Sequence, residues 1–288
     1  MSHLLTLVAA VPPLSAALIE DVRRLVNGAA PDILSPDEAV DIAVPARPDM
    51  AAVGAALQGA AVDAIATPAE GRRKRLLLAD MDSTILTGET LDELADFAGL
   101  KQEIAAITRR SMNGEIDFAE ALRRRVAMLR GLSLDALERT WGRVRLTPGA
   151  RELVATMRAN GAVTALVSGG FTYFTERVAA LAGFDAHFAN RLLDDGEALT
   201  GEVGEPILDR DAKLGALRAL AREHGLDLSQ TLAVGDGAND LGMLHEAGLG
   251  VAFHAKPIVA ADARARVDHG SLRALLFAQG YRAGEIVA

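Results

Sequence analysis

The chain has 288 residues, half of them hydrophobic and 24% charged, enough to bury a core and too apolar for global disorder. It contains no cysteine, which excludes disulfides, thiolate metal sites, iron–sulfur clusters and cysteine nucleophiles. A net charge of −9 and an aromatic content of 4% argue against a nucleic-acid surface and against base-stacking platforms.

Residues 4–19 are largely apolar, but Pro12 and Pro13 interrupt them and the first Lys or Arg is Arg23. A secretory signal needs a positive start, and a membrane span needs about 20 unbroken apolar residues. The expected location is therefore the cytoplasm, with no membrane partner. Residues 1–70 read as a strand over 3–11, a helix over 15–27 and one or two strands over 39–44. A helix over 49–57, with Pro48 near its start, and a short strand over 62–65 follow. The order suggests a small α+β unit of ferredoxin-like, split β-α-β type. It carries no catalytic cluster. A regulator site, a homodimer contact and a purely structural role all fit it. Gly71-Arg72-Arg73-Lys74-Arg75 then reads as a solvated linker rather than a nucleic-acid contact.

From Leu76 the pattern becomes α/β. Leu76-Leu77-Leu78-Ala79 is short and wholly apolar, as a parallel strand buried on both faces should be. Residues 88–143 carry apolar positions at helical spacing, among them Ile104, Ile107, Leu122, Val126 and Leu129. They suggest a helical insertion after this strand. A second apolar run, 162–167, ends in Ser168-Gly169-Gly170. Asp194-Asp195-Gly196 marks a hairpin turn within 190–206, and 214–223 reads as a helix. Further buried strands are expected at 231–234 and 249–253. Short apolar strands alternating with helices predict a mostly parallel, Rossmann-like sheet with helices on both faces. Ligands of such sheets sit beyond the carboxyl ends of the strands. The polar turns fall there.

Asp80-Met81-Asp82-Ser83-Thr84 follows the first of these strands. Two carboxylates in one cleft can attack an electrophile, pass a proton and hold a hard cation. An isolated pair of this kind is common in turns. Gly235-Asp236-Gly237-Ala238-Asn239-Asp240 places more acids at another strand end. Asp236 would complete an all-oxygen Mg²⁺ site with Asp80, while Asp240 and Asn239 could ligate or orient. Ser168, its neighbouring glycine amides and Lys213 are candidate donors to phosphate oxygens.

In order, the Asp80–Thr84 segment, Ser168-Gly169-Gly170-Phe171, Lys213 and the Gly235–Asp240 segment resemble the four motifs of the haloacid-dehalogenase-like phosphatases. Glu89-Thr90-Leu91-Asp92-Glu93-Leu94-Ala95, Leu122-Arg123-Arg124-Arg125-Val126 and Phe188-Ala189-Asn190-Arg191-Leu192 resemble the phosphoserine phosphatase branch. The similarity spans about residues 75–280. It implies a catalytic domain over 75–288 with a helical cap over about 88–145, and an ACT-like domain over 1–70. It implies Mg²⁺ as cofactor and a small phosphomonoester, O-phospho-L-serine, as substrate, hydrolysed in serine biosynthesis.

The roles carried over are these. Asp80 is the nucleophile, and Asp82 the general acid and base whose main-chain carbonyl also meets Mg²⁺. Asp236 is a direct metal ligand, supported by Asp240. Ser168, Gly169, Lys213, Ser83 and Asn239 line the phosphate pocket. Glu89 meets the substrate ammonium, Arg125 its carboxylate, and Met112 and Phe118 shield the site. Two other readings compete: a phosphatase or phosphotransferase for another small phosphorylated amino acid or alcohol, and a non-enzymatic amino-acid sensor.

Overall fold

A computed structural model describes residues 2–57, 59–112 and 115–288; the side chains of Met112 and Arg210 fall outside that description. The first unit runs β1 (His3–Ala9), α1 (Ala16–Leu25), β2 (Asp32–Ser35), β3 (Ala39–Val44), α2 (Met50–Ala56) and β4 (Val62–Pro68). Its sheet order is β2-β3-β1-β4, and β1 is antiparallel to both neighbours, the expected ferredoxin-like arrangement. Side-chain caps define both helix starts: Ser15 accepts from Leu18 N, and Asp49 from Ala51 N and Ala52 N. Asp49 rather than Pro48 alone therefore fixes the start of α2.

The second unit runs β5 (Leu76–Ala79), then four helices, α3 (Thr90–Phe97), α4 (Lys101–Met112), α5 (Phe118–Ala127) and α6 (Asp135–Arg143). It continues through α7 (Ala150–Ala159), β6 (Val163–Phe171), α8 (Thr172–Ala182), β7 (Ala186–Asp194), β8 (Leu199–Gly204), α9 (Arg210–Glu223) and β9 (Thr231–Gly235). It closes with α10 (Leu241–Glu246), β10 (Leu249–Phe253), α11 (Pro257–Asp262), β11 (Ala265–Val267) and α12 (Ala274–Ala278). The sheet order is β11-β10-β9-β5-β6-β7-β8, parallel except for the β7–β8 hairpin. β5 sits between β9 and β6 with every side chain fully buried. Its alternation divides them: Leu77 and Ala79 join the core under α7, α8 and α12, Leu76 and Leu78 the core under α9 and α10. At roughly 1.5–3 kcal/mol per buried leucine, three leucines hold this strand. A charge at any of them would cost most of that.

The expected α/β class with a helical insertion is what the chain adopts. The insertion leaves and rejoins the core side by side. Leu86 bridges Leu146, Thr87 N donates to Arg145 O at 3.1 Å, and Thr147 N to Ile85 O at 2.9 Å. Its far side leans on the β7–β8 hairpin, where Gly131 N donates to Leu199 O at 2.8 Å and Leu134 N to Glu197 O at 3.1 Å.

The basic run after β4 differs from its reading as a solvated linker. Arg72 and Lys74 are buried. The Arg72 guanidinium donates twice to Asp41 (2.6 and 3.0 Å), to Thr6 Oγ1 (3.0 Å) and Thr67 Oγ1 (3.2 Å), and to the carbonyls of Phe277 and Ala278 at 3.3 Å. Asp63 adds a second junction by accepting from the amides of Asp268, His269 and Gly270. The first sheet is therefore covered on both faces: Leu5, Leu7 and Ile42 lie under α1 and α2, while Val8, Ala39 and Ile65 join the core that contains α12. That explains why β1 shows no polar–apolar alternation in burial.

Candidate active site

The site lies at the carboxyl ends of β5, β6 and β9, as the crevice rule for open parallel sheets requires. Asp80 follows β5 directly, with its amide bound to Val234 O of β9 at 3.0 Å. Its Oδ1 accepts from Met81 N at 2.8 Å and lies 2.6 Å from Lys213 Nζ. Lys213 is in the first turn of α9, whose start Asp209 caps. The same ammonium lies 2.6 Å from Asp240 Oδ1, while Gly237 N donates to Asp240 Oδ2 at 2.9 Å. Asp80, Lys213 and Asp240 are 6%, 2% and 0% exposed. Charges this deep persist only when paired, and here one ammonium serves two carboxylates. Gly235 makes the packing possible: a Cβ there would stand 2.4 Å from Asp240 Cγ.

Burial, then Asp240, holds the Asp80 carboxyl well above its usual range, against the pull of Lys213. Burial alone would lower the Lys213 pKa, but Asp240 and Asp80 outweigh it and raise it. Burial raises Asp236 as well, opposed by Lys256, whose Nζ is 3.3 Å from Asp236 Oδ2. Asp80, Asp236 and Asp240 bring carboxylate oxygens within 4.8 Å of one another. The group is crowded with negative charge and offers oxygen donors only. Those features fit a hard divalent cation.

Asp82 lies in the turn Met81–Ile85, where Ser83 takes a left-handed backbone conformation (φ 55°). Thr90 N donates to Asp82 Oδ1 at 2.8 Å. A Cβ on Gly170 would approach both Asp82 Oδ2 and Ser168 Oγ at 3.1 Å, so the acid faces the serine turn across a gap that glycine keeps open. Enclosure, then Glu89, pushes Asp82 up to about 7. Ser168 accepts from Gly170 N at 2.9 Å. The ladder between β6 and β7 breaks between Val167 and Phe171, which releases the Ser168–Gly170 backbone from strand pairing.

Asp80, Asp82, Glu89, Arg125, Phe118, Ser168, Gly169, Asp236 and Asn239 thus meet around one cavity of about 690 Å³, with cap residues forming its roof. Phe118 covers Gly169: a Cβ there would stand 3.1 Å from the ring. Arg125 is half-buried and held by Thr108 Oγ1 and Ala121 O, each 3.2 Å away. The hydroxyl of Ser83, expected on the phosphate side, donates to Glu89 Oε1 at 2.6 Å. Met112 ends α4, and its side chain falls outside the described residues. Sequence reading missed Lys256, which lies three residues beyond a buried strand. It also missed Thr108, which only tertiary packing brings to Arg125.

The strand order, the acidic cluster and the inserted cap define a class, and a family model agrees. The model for haloacid dehalogenase-like hydrolases matches residues 77–245, and the chain belongs to that family. Among its relatives, a probable phosphoserine phosphatase of Schizosaccharomyces pombe is 45% identical over 210 residues, covering 72% of this chain and 70% of that protein. A solved phospho-aspartyl intermediate analogue of a phosphoserine phosphatase is 40% identical, with a TM-score of 0.66 over 71% of this chain and 98% of that one. The crystal structure of a HAD family hydrolase from Salmonella enterica subsp. enterica serovar Typhi is 27% identical. It covers 96% of this chain and 97% of its own with a TM-score of 0.87, so its match extends through both units. The chain spans 53–63% of the length of three further curated relatives.

Proposed function

We propose that this hydrolase is a phosphoserine phosphatase, converting O-phospho-L-serine and water to L-serine and phosphate at the end of a phosphorylated route to serine. The observation that carries the reading is the joining of two chemistries in one cavity. Asp80, Asp82, Ser168 and Asp236 form its floor, and an acid and a guanidinium, Glu89 and Arg125, face it from the cap side. Free phosphoserine carries an ammonium, a carboxylate and a phosphate, and each has a complement there. Arg125 offers a planar fork to the carboxylate.

In the proposed reaction a carboxylate oxygen of Asp80 bonds to phosphorus as the bond from phosphorus to the serine oxygen breaks. Asp82, whose raised pKa keeps a protonated fraction near neutrality, gives its proton to the departing serine oxygen. Water then attacks the aspartyl-phosphate, Asp82 takes its proton, phosphate leaves and Asp80 is restored. Lys213, Ser168, the Gly169 backbone and Asn239 hold the phosphoryl oxygens. Mg²⁺ held by Asp80, Asp236 and the Asp82 carbonyl, with Asp240 in support, would supply positive charge against those oxygens. Phe118 would exclude bulk water.

Among the described residues, no helix is long and apolar enough to cross a membrane. A cytoplasmic location and a small-molecule partner, rather than a membrane or nucleic acid, belong to the same proposal. The proposed ACT-like unit has one sheet face occupied by its own catalytic unit, so a homodimer or regulator would use its helices.

The test is phosphate release from a panel of phosphorylated amino acids and sugars, with Mg²⁺ and with EDTA. Phosphoserine should lead the panel, and EDTA should abolish release. A better sugar substrate would refute the assignment. Arg125→Ala should lower kcat/KM for phosphoserine about 10²-fold, the usual cost of truncating one partner of a buried charge pair. It should change turnover of phosphoethanolamine, which lacks the carboxylate, by less than about threefold. Equal losses on both substrates would remove Arg125 from the carboxylate site.

A further inference from the structure

Asn190 is 1% exposed, stands on β7 and is not among the residues that line the cavity. Its carboxamide is nonetheless fully engaged. Nδ2 donates to Gly169 O at 2.9 Å and to Leu208 O at 3.3 Å, and Oδ1 accepts from Leu208 N at 2.7 Å. Gly169 belongs to the turn where the β6–β7 ladder is broken. A strand partner that would normally bind its carbonyl is absent there, and the side chain of Asn190 takes that place. Leu208 immediately precedes Asp209, the cap of the helix that carries Lys213. One side chain therefore ties the serine–glycine turn to the start of the lysine helix.

We propose that Asn190 is a positioning residue that sets the spacing between the two phosphate-holding elements, the Ser168–Gly170 turn and the first turn of α9. The proposal rests on the phosphatase reading for which elements hold phosphate. Only an amide meets the demand, because the bridge needs two donors and one acceptor in a single plane. Loss of the bridge removes the side-chain partner of Gly169 O and of both Leu208 groups in a partly buried place, and the turn is free to relax away from Lys213.

The experiment measures inorganic phosphate binding by calorimetry, in Mg²⁺, for the full-length wild type, Asn190→Ala and Asn190→Ser, beside steady-state kinetics. Both variants should bind phosphate about tenfold or more weakly, the effect of one misplaced hydrogen-bonding group. They should lose kcat/KM for phosphoserine by at least that factor. The preference for phosphoserine over phosphoethanolamine should stay unchanged, because the Arg125 end is intact. A fall in active fraction or kcat with phosphate affinity unchanged would make Asn190 a scaffold residue and overturn the proposal, as would failure of both variants to fold. A wild type that is inactive on phosphoserine yet shows this Asn190-dependent phosphate affinity would refute the substrate assignment and leave the positioning role standing.

Discussion

Replacing Asp80 by asparagine is expected to remove turnover, by a factor of about 10⁴ or more, while leaving the fold intact. The carboxamide is close in shape to the carboxylate and can still accept from Met81 N through its oxygen. What it lacks is the anionic oxygen that would bond to phosphorus, and no neighbouring acid stands in the same place at the end of β5. The variant carries a second signature in stability. The folded Asp80 carboxyl is raised well above 3.8, chiefly by burial. Below the unfolded pKa both states of the wild type are protonated and pay nothing for the charge. As pH rises through the carboxylate range the unfolded chain ionises first, so the wild type loses stability that the asparagine variant keeps. In EDTA the melting temperature of Asp80→Asn should therefore exceed that of the wild type by a margin that widens from about pH 4 toward neutrality. Near-wild-type phosphate release by this variant would end the covalent mechanism. A margin that shrinks with pH would show that Lys213, not burial, governs the carboxylate.

The catalytic floor was legible because each of its elements is local in sequence. A buried parallel strand is a short apolar run; Leu76–Ala79 ends in acids, and Thr231–Gly235 in acids and glycines, that a strand interior would not tolerate. Once those ends were aligned, the sheet itself placed Asp80 beside Asp236. The N-terminal order was legible in outline for the same reason. Two strands escaped. β2 is a four-residue edge strand that is half exposed, so it shows neither an apolar run nor a long alternation. β11 has three residues. The side chains that escaped share another cause. Asn190, Thr108 and Arg72 each act through at least one partner 17 to 206 residues away, and a carboxamide or guanidinium on an apolar strand or in a basic run has no local pattern to reveal its partner. Arg72 shows how far composition can mislead. Four consecutive basic residues suggest solvent, yet two of them are buried at the seam between the sheets.

That seam gives the largest expected change in stability. The Arg72 side chain is 10% exposed and its partner Asp41 5%. Asp41 also accepts from Thr6 Oγ1 at 2.6 Å, so its carboxylate is held by both β1 and the linker. Arg72→Ala leaves that carboxylate buried without its cation and strips donors from Phe277 O and Ala278 O at the end of α12. Breaking a buried pair in this way costs about 3–5 kcal/mol. For a chain of this size the melting temperature should fall by roughly 6–15 °C. Asp41→Ala should cost a similar amount, and the double variant much less than the sum, since each single change already loses the same bonds. The pair stands apart from the catalytic cavity, so kcat at a temperature where the variants remain folded should stay within about twofold of the wild type. Strict additivity of the two substitutions would show that Arg72 stabilises the seam through Thr6, Thr67 and the α12 carbonyls rather than through Asp41. Two separated melting transitions in Arg72→Ala, against one in the wild type, would identify this arginine as the group that makes the two sheets unfold together.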